Sequence, residues 1–253
     1  MRILTLNTWK CDGAYRQRLQ AMAQGLAALA PDVILLQEAF ATEDGRADTA
    51  GYLAQALSML ATRAPARRKV RAFEGDSVMS SSGLAVLTRG PLVAHQVVPL
   101  PTDPADGERI AQLVCLQRGG VRTWVANVHL THLDGASDLR IRQLDACLTA
   151  LRHLAADDRC ILGGDFNCSP GGPEFEVLRA GPSPWVMPAG SQIKSTHRTS
   201  DGRDLDLDHL LLSGGSFTCV PQVTVVLDPR QAQAGQEASD HAAVMLDLAV
   251  LHS

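Results

Sequence analysis

The sequence predicts an α/β fold, and three observations point to that class. Helix-type and strand-type segments alternate at both ends of the 253-residue chain, whereas the middle is a succession of apolar segments with strand-like alternation. Hydrophobic residues make up 45% of the sequence, which is enough for a substantial core. No linker-like or low-complexity stretch divides the chain, so we expect one domain over residues 1–253.

The N-terminal segment is predicted to form a strand, a helix and a second strand. Residues 3–6 form a short apolar strand that ends at Asn7, and apolar residues recur at helical spacing over residues 19–30. Residues 33–36 form the second apolar strand, which ends just before Glu38. Strands joined in this way run parallel, so their polar ends reach the same edge of the sheet. Taken alone, Glu38 is better explained as an ordinary solvated carboxylate after a strand.

The middle of the chain is predicted to be a run of strands, preceded by a second helix over residues 48–60. Extended segments separated by turns follow that helix: residues 69–73, 83–88, 92–98, 110–117 and 121–130. Residues 75–83, which contain four serines, are interpreted as a surface loop of the kind that borders sites. His129 and His132 are three positions apart near the end of the last strand, so we expect one to face a site and the other to face solvent.

A strand near residue 160 is predicted to carry two polar side chains to its tip. A periodic helix over residues 137–155 leads to an apolar strand at residues 160–162, and two glycines follow. Asp165 and Asn167 are two positions apart, so in an extended chain they share one face while Phe166 points to the other. A carboxylate that accepts a proton beside an amide that donates to an oxyanion is half of an active site, although the same residues also suit an ordinary turn.

Residues 204–208 resemble the opening of an EF-hand calcium loop, since acidic residues occupy alternate positions. The glycine and glutamate that such a loop needs at its sixth and twelfth positions are missing, however. The alternation instead predicts a strand over residues 204–212, with His209 on one face. Three aspartates lie on the other face: Asp204, Asp206 and Asp208.

The remaining C-terminal elements are a short helix and two strands. The helix is predicted over residues 173–180, and the first of the strands over residues 217–227. Asp240 and His241 lie immediately before the final strand, which is predicted over residues 242–250. These two residues place an adjacent acid and base at one more strand end.

Composition and charge exclude several classes of protein. The net charge is −4 and the isoelectric point is near 6.0, so the chain lacks the global basic field of a non-specific nucleic-acid binder. The one basic cluster, residues 63–71, is interpreted as a solvated face or strand edge. Six scattered cysteines without a Cys-x-x-Cys pair argue against a structural zinc site and predict reduced packing residues in a reducing cytoplasm. Residues 1–6 are too short for a signal peptide, and no segment approaches a transmembrane length.

Seven polar segments in this order resemble the endonuclease/exonuclease/phosphatase superfamily, in motif style closest to its sphingomyelinase and deoxyribonuclease branches. The resemblance spans nearly the whole chain and rests on these segments: Leu6-Asn7-Thr8-Trp9, Leu36-Gln37-Glu38, residues 83–89, Asn127-Val128-His129-Leu130, Gly164-Asp165-Phe166-Asn167, residues 208–212 and Ser239-Asp240-His241. It implies a four-layer α/β sandwich, in which two packed mixed β-sheets are flanked by helices. It also implies metal-dependent hydrolysis of a phosphate ester, a phosphodiester in preference, by in-line attack of water.

The same resemblance implies a Mg²⁺ site, with Mn²⁺ as a substitute. Glu38 would bind the metal, and Asn7 and Asp240 would complete or orient its ligand shell. These three side chains offer oxygen atoms, which are the ligands that Mg²⁺ prefers.

The resemblance also implies catalytic roles. Asp165 would position or deprotonate the attacking water, while Asn167 and His129 would donate to the phosphoryl oxygens as negative charge builds. His241, oriented by Asp208, would act as a base or as a phosphate-binding cation.

Two features depart from the family pattern and bear on the substrate. Asp206 stands where the family commonly has an arginine, which we expect to weaken the binding of a highly anionic substrate, and the phosphate-binding tyrosine of the nucleases has no counterpart. Because the net charge is −4 and no extended basic stripe is present, we favour a small or lipid-like phosphodiester, with nucleic acid as the alternative substrate. We also expect a monomer. Substrate choice is expected to lie in loops such as residues 75–83 and 182–203. A non-catalytic phosphate-binding or scaffold protein on the same fold is the alternative function.

Overall fold

A computed structural model describes residues 1–156, 158–180, 184–188, 195–213, 221–233 and 235–248. The helices are α1 Tyr15–Leu29, α2 Thr49–Leu57, α3 Ser137–Ala155 and α4 Pro173–Ala180. The strands are, in chain order, β1 Arg2–Asn7, β2 Val33–Thr42, β3 Leu60–Ala64, β4 Lys69–Phe73, β5 Asp76–Thr88, β6 Ala94–Pro99, β7 Ile110–Arg118, β8 Val121–His129, β9 Arg159–Asp165, β10 Trp185–Val186, β11 His197–Arg198, β12 Asp204–Leu205, β13 Asp208–Ser213, β14 Gln222–Val226 and β15 Ala243–Asp247.

The strands of the described ranges form two large mixed sheets. The first has the order β14-β15-β1-β2-β5-β3, with β4 also paired to β5, and the second has the order β10-β13-β9-β8-β7-β6. Each sheet contains one parallel pair, β1 with β2 and β8 with β9, among antiparallel neighbours. β11 and β12 form a separate two-stranded ribbon.

Three apolar clusters show how the layers pack. One lies between the sheets and joins residues such as Ile3 and Leu35 of the first sheet to Val125 and Ile161 of the second. A second cluster packs α1 and α2 on the outer face of the first sheet, and a third packs α3 and α4 on the outer face of the second. Three interlayer cores mean four layers, so the predicted four-layer α/β sandwich is confirmed. Among the helices in the described ranges, none is long and apolar enough to cross a membrane.

The strand register brings polar residues of both sheets to one edge. Asn7 lies opposite Gln37 in the β1–β2 pair, and Asp165 lies between His129 of β8 and Asp208 of β13. The glycine before Asp165 is required by this packing. A Cβ atom on Gly164 would lie 1.9 Å from the carbonyl oxygen of Val128, and its φ of +145° is one that side-chain-bearing residues rarely adopt.

The prediction of a loop over residues 75–83 is wrong, because β5 begins at Asp76 and pairs with both β4 and β2. Ser80 and Ser82 are buried in this strand. Their hydroxyl groups accept hydrogen bonds from the Arg71 guanidinium at 3.0 and 2.8 Å, so a serine-rich segment can be a stable strand. Arg71 supplies the hydrogen-bond donors that these serine hydroxyl groups would find in water if the segment were a surface loop.

The prediction of one continuous strand over residues 204–212 is also wrong. The extended structure breaks at residues 206–207, and Asp204 belongs to the separate β11–β12 ribbon. The three aspartates therefore do not share one face. The predicted helix over residues 48–60 is shorter in the structure, because α2 ends at Leu57, Ser58 turns the chain with a left-handed conformation and the strand β3, which the sequence did not predict, begins at Leu60. Parts of the predicted strands at residues 217–227 and 242–250, and of the loop at residues 182–203, lie outside the described residues.

Candidate active site

A polar cavity of about 300 Å³ lies where the strand ends of the two sheets converge. Of the eight residues that the sequence predicted for the site, seven line it, and the eighth, Asp208, lies behind His241 at hydrogen-bonding distance. The complete lining is Asn7, Trp9, Lys10, Glu38, Arg67, His129, His132, Asp165, Asn167, His197, Asp240 and His241. Residues separated by up to 234 positions in sequence therefore share one cavity.

Asp165 is the centre of the buried polar network. Its Oδ2 accepts a hydrogen bond from Asn7 Nδ2 at 3.0 Å and lies 3.6 Å from His129 Nε2 and 4.0 Å from His241 Nε2. Burial, followed by the negative charge of Asp208, raises the pKa of Asp165 above its ordinary value. A carboxylate whose pKa is raised in this way is suited to accept a proton near neutral pH.

Asp208 and His241, which are 33 positions apart in sequence, form a direct pair. The Asp208 Oδ2 to His241 Nδ1 distance is 2.8 Å, and both side chains are buried. Burial alone would lower the pKa of His241, but the Asp208 carboxylate, helped by Asp165, raises it to about 10. The imidazole is therefore held as a cation, with Nδ1 directed to Asp208 and Nε2 on the side of Asp165.

Glu38 reaches the cavity because β2 contains a bulge. The pairing of β2 with β5 shifts register between Leu36 and Ala39, and Glu38 has a φ of +54°. Bulges re-aim side chains in this way and are frequent next to active sites. The Glu38 carboxylate lies 3.2 Å from the Lys10 ammonium and forms an ion pair with it at the cavity.

The oxygen donors in the cavity fit a hard divalent cation. The carboxylates of Glu38 and Asp240 line the same space, and among the described residues the only hydrogen bond to the Asp240 carboxylate comes from Ser239 Oγ at 3.3 Å. Asn7 is more constrained, because its Oδ1 accepts from Trp9 N and its Nδ2 is used by Asp165. Asn7 is therefore better suited to orient Asp165 than to bind a metal alone.

Asn167 and His129 offer neutral donors. Asn167 adopts a left-handed φ of +51°, which asparagine tolerates, and its Nδ2 donates one hydrogen to Leu130 O, leaving the other for a ligand. Phe166 is fully buried in the core under the second sheet, so the predicted separation of faces holds. Burial and nearby arginines hold the pKa of His129 well below its ordinary value, so this ring is neutral.

Unfavourable backbone conformations concentrate around the cavity. In the described part of the chain, ten non-glycine residues have positive φ, and five of them line this cavity: Trp9, Lys10, Glu38, Arg67 and Asn167. Such residues persist only where the surrounding structure holds them, and they cluster at functional sites. The distribution is independent support for this cavity as the site.

Five residues of the cavity were not predicted as site residues, although Trp9 belongs to one of the motif segments: Trp9, Lys10, Arg67, His132 and His197. The expectation that one of His129 and His132 faces a site and the other faces solvent holds, because the His129 side chain is 12% exposed and the His132 side chain is 54% exposed, although His132 also borders the cavity. His197 stacks on His241 with ring centroids 4.4 Å apart, but it follows a segment without periodicity that gave no signal. Arg67 lies in the basic cluster, on the connection between β3 and β4, and β3 was not predicted from the sequence.

The two packed sheets and their shared polar cavity define an α/β sandwich with a site for a charged ligand. The chain belongs to the endonuclease/exonuclease/phosphatase family, whose sequence pattern matches residues 4–241. Members of this family are generally phosphoesterases. Among curated proteins, none matches the sequence significantly.

Solved structures with the same fold are similar over nearly their entire length. A family protein from Leptotrichia buccalis C-1013-b has a TM-score of 0.79 at 17% identity, covering 99% of this chain and 100% of the other. A conserved protein of unknown function from Enterococcus faecalis V583 has a TM-score of 0.72 at 18% identity, covering 98% and 99%. Truncated TDP2 from Caenorhabditis elegans has a TM-score of 0.71 at 19% identity, covering 97% and 96%. At these identities the likeness establishes the fold alone.

Proposed function

We propose that the protein is a Mg²⁺-dependent phosphodiesterase that hydrolyses its substrate by in-line attack of an activated water. The observation that carries this proposal is the arrangement around Asp165, in which a proton-accepting carboxylate lies between a neutral and a cationic histidine. Mn²⁺ is expected to substitute for Mg²⁺, because the ligands are oxygen atoms of Glu38 and Asp240. The metal would supply charge neutralisation for the phosphoryl group as negative charge builds.

Side chains of the protein supply the remaining functions, which are proton transfer and binding of the phosphoryl group. Asp165, held by the Asn7 amide, accepts the proton of the attacking water. His241 is a phosphate-binding cation and not a base, since the Asp208 carboxylate keeps it protonated. Asn167 and the neutral His129 donate to the phosphoryl oxygens where transition-state charge collects.

The charge of the chain supports a small or lipid-like phosphodiester as the substrate. The net charge of −4 does not favour long nucleic acid, and the open cavity of about 300 Å³ has room for a head group or a small ester. The expectation that Asp206 repels anionic substrates has no support, because Asp206 does not line the cavity. Nucleic acid remains the alternative substrate, and a non-catalytic phosphate-binding role remains the alternative function.

The proposal is tested by a hydrolysis screen with and without metal. The purified protein is incubated with bis(p-nitrophenyl) phosphate, phospholipid head-group esters, nucleotide and inositol phosphates, and single- and double-stranded oligonucleotides. We expect turnover of a diester with Mg²⁺ or Mn²⁺, none in excess chelator, and a sharply higher metal requirement in Glu38→Gln. Turnover that persists in excess chelator would refute the metal mechanism, whereas phosphate binding without any turnover would favour the non-catalytic alternative.

We further propose that the chain acts as a monomeric single domain in a reducing compartment such as the cytoplasm. Support comes from the thiols, since the five described cysteines are free and four of them are buried. Cys219 lies outside the described residues. Sedimentation tests whether the chain is a monomer, and a single cooperative unfolding transition without added reductant tests whether it is one domain.

A further inference from the structure

The basic segment at residues 63–71 contains arginines in different surroundings. Arg63 and Arg68 are exposed and form ion pairs, with Asp48 and Glu43 respectively. Arg71 is directed inward and donates to buried acceptors of β5. The prediction of a solvated face therefore describes Arg63 and Arg68, whose charges are compensated locally.

Arg67 differs from the other arginines of this segment. Its side chain is only 20% exposed and lines the catalytic cavity together with Glu38 and His129. Its guanidinium makes no hydrogen bond to any side chain or carbonyl in the described ranges. The nearest acid is Asp106, with its Oδ1 at 3.9 Å.

Asp106 is already satisfied by another arginine. Both of its oxygens accept from the Arg109 guanidinium, at 2.5 and 2.7 Å, and His132 Nδ1 lies 2.9 Å from Oδ1. The Arg67 guanidinium thus has a partial countercharge but no acceptor. The Arg67 N–H donors reach the cavity and have no protein acceptor among the described residues, so they are available to a ligand that supplies oxygen acceptors there.

The backbone at Arg67 is held in place by two side chains. Its φ is +54°, a left-handed conformation that residues other than glycine adopt only at a cost. Arg71 Nη2 donates to the Arg67 carbonyl oxygen at 2.9 Å, and the Arg67 amide donates to the Glu108 carboxylate at 2.9 Å. These contacts fix the conformation that places the guanidinium in the cavity wall, which is expected of a preorganised binding residue.

We propose that Arg67 binds non-bridging oxygens of the substrate phosphate inside the catalytic cavity. This inference rests on the proposed function and adds a phosphate ligand from the loop after β3 to the donors at the ends of β8 and β9. The planar guanidinium fork matches two phosphate oxygens, which a lysine cannot reproduce. It also explains why this arginine of the basic segment has no acceptor of its own.

The test measures the binding of inorganic phosphate by calorimetry to the Mg²⁺-loaded protein. Arg67→Met should raise the dissociation constant for phosphate about 10- to 100-fold, the usual range for losing a charged hydrogen-bonding partner. Arg67→Lys should give an intermediate loss because it keeps the charge without the fork. Arg68→Met, which removes a neighbouring cation that is paired with Glu43, is the matched control and should change binding less than twofold.

Several outcomes would overturn the inference. These are unchanged phosphate binding in Arg67→Met, an equal loss in Arg68→Met, or no phosphate binding by the wild type. If Arg67→Met fails to fold, Arg67→Lys decides: wild-type affinity at a wild-type melting temperature overturns the inference. Turnover with unchanged kinetic constants in Arg67→Met would reject Arg67 and leave the proposed function intact. Phosphate binding that depends on Arg67, without hydrolysis of any ester, would support the role of Arg67 and reject the proposed catalytic function.

Discussion

Two aspartate–histidine pairs lie next to each other in the structure and share the strand β13 region, but their surroundings differ. In the Asp208–His241 pair, Nδ1 and Oδ2 are 2.8 Å apart, and His241 lines the cavity. In the Asp206–His209 pair, Nδ1 and Oδ1 are 3.8 Å apart, and the ring is enclosed by aromatic side chains. The residue types are the same, so the difference in behaviour must come from geometry and surroundings.

The two histidines have opposite pKa shifts. The pKa of His241 is raised to about 10 because the carboxylate contact outweighs burial, whereas burial lowers the pKa of His209 to about 4. His209 Nε2 donates to the Cys168 carbonyl at 3.0 Å, which fixes a neutral tautomer. Burial together with the Asp208 charge raises the pKa of Asp206 to about 7, so the second pair is largely neutral in weakly acidic solution. A short hydrogen bond beside other acids characterises the pair for which we propose a catalytic role, whereas an enclosure by aromatic side chains characterises the pair that contributes to packing.

The largest expected effect is on catalysis by the first pair. Asp208→Asn and His241→Ala should each lower kcat by roughly 10²- to 10⁴-fold, because the carboxylate holds the imidazole as a cation facing the substrate. The double variant should be little worse than the more damaging single variant, since the two residues act as one unit. Steady-state kinetics on the substrate found in the screen measures all three. Independent, multiplicative losses would show that the pair does not act together.

The Asp208–His241 pair also shows how much of the site could be predicted. The residue types and their order along the chain were sufficient to propose the pair, because the fold implied by the motifs places those strand ends together. The pairing of Asp165 with His129 and Asp208 in the β8–β9–β13 register follows from the same logic. Sequence reasoning succeeded for residues at or next to a strand end, such as Asn7, Asp165 and Asp208.

The failures have identifiable physical causes. Lys10 and Arg67 reach the cavity through left-handed backbone conformations, which periodicity does not reveal. His197 follows a segment with no hydrophobic pattern. The serine-rich segment of β5 has the composition of a loop, and only its pairing with β4 shows that Arg71, 11 positions before Ser82, supplies its hydrogen-bond donors. Contacts that depend on such non-local partners require coordinates.

A smaller effect is expected at the second pair, and on stability in place of catalysis. His209 stacks edge-on against Phe166 and Phe175, with ring centroids 5.3 and 4.9 Å away. His209→Ala should therefore lower the free energy of unfolding by about 2–4 kcal/mol, through a cavity and an unpaired Cys168 carbonyl. Denaturant unfolding measures this loss, and kcat of the folded variant should change less than about threefold. A larger loss of kcat in His209→Ala than in Asp208→Asn would mean that the wrong face of the strand was assigned.

The titration of His209 is a direct test of its enclosure. The folded-state pKa of about 4 lies below the unfolded value of about 6.5, so as pH falls the unfolded chain takes up the proton first. The contribution of His209 to stability is therefore lost between about pH 6.5 and 4. The raised pKa of Asp206 changes the free energy of unfolding in the opposite direction as pH falls, so unfolding curves would combine the two effects. The protonation of the His209 ring should therefore be followed directly by NMR. A His209 ring that protonates near pH 6.5 would contradict the enclosed, neutral state.

The smallest effect is expected for Asp206→Asn, which leaves the shape of the second pair unchanged. Asp206 lies outside the cavity, and its Oδ1 is buried without a hydrogen-bond partner among the described residues, so replacing it with a neutral amide should change kcat less than twofold.

Because folding raises the pKa of Asp206 to about 7, the folded protein binds the extra proton between about pH 4 and 7, and wild-type stability is lost as pH rises through that range. The asparagine cannot ionise, so the difference in unfolding free energy should shift in favour of Asp206→Asn on going from pH 4.5 to pH 8. Unfolding curves at these two values measure that shift. A shift of the opposite sign would show that Asp206 is charged and compensated in the folded state, and a loss of kcat comparable to that of Asp208→Asn would place both pairs in the catalytic machinery.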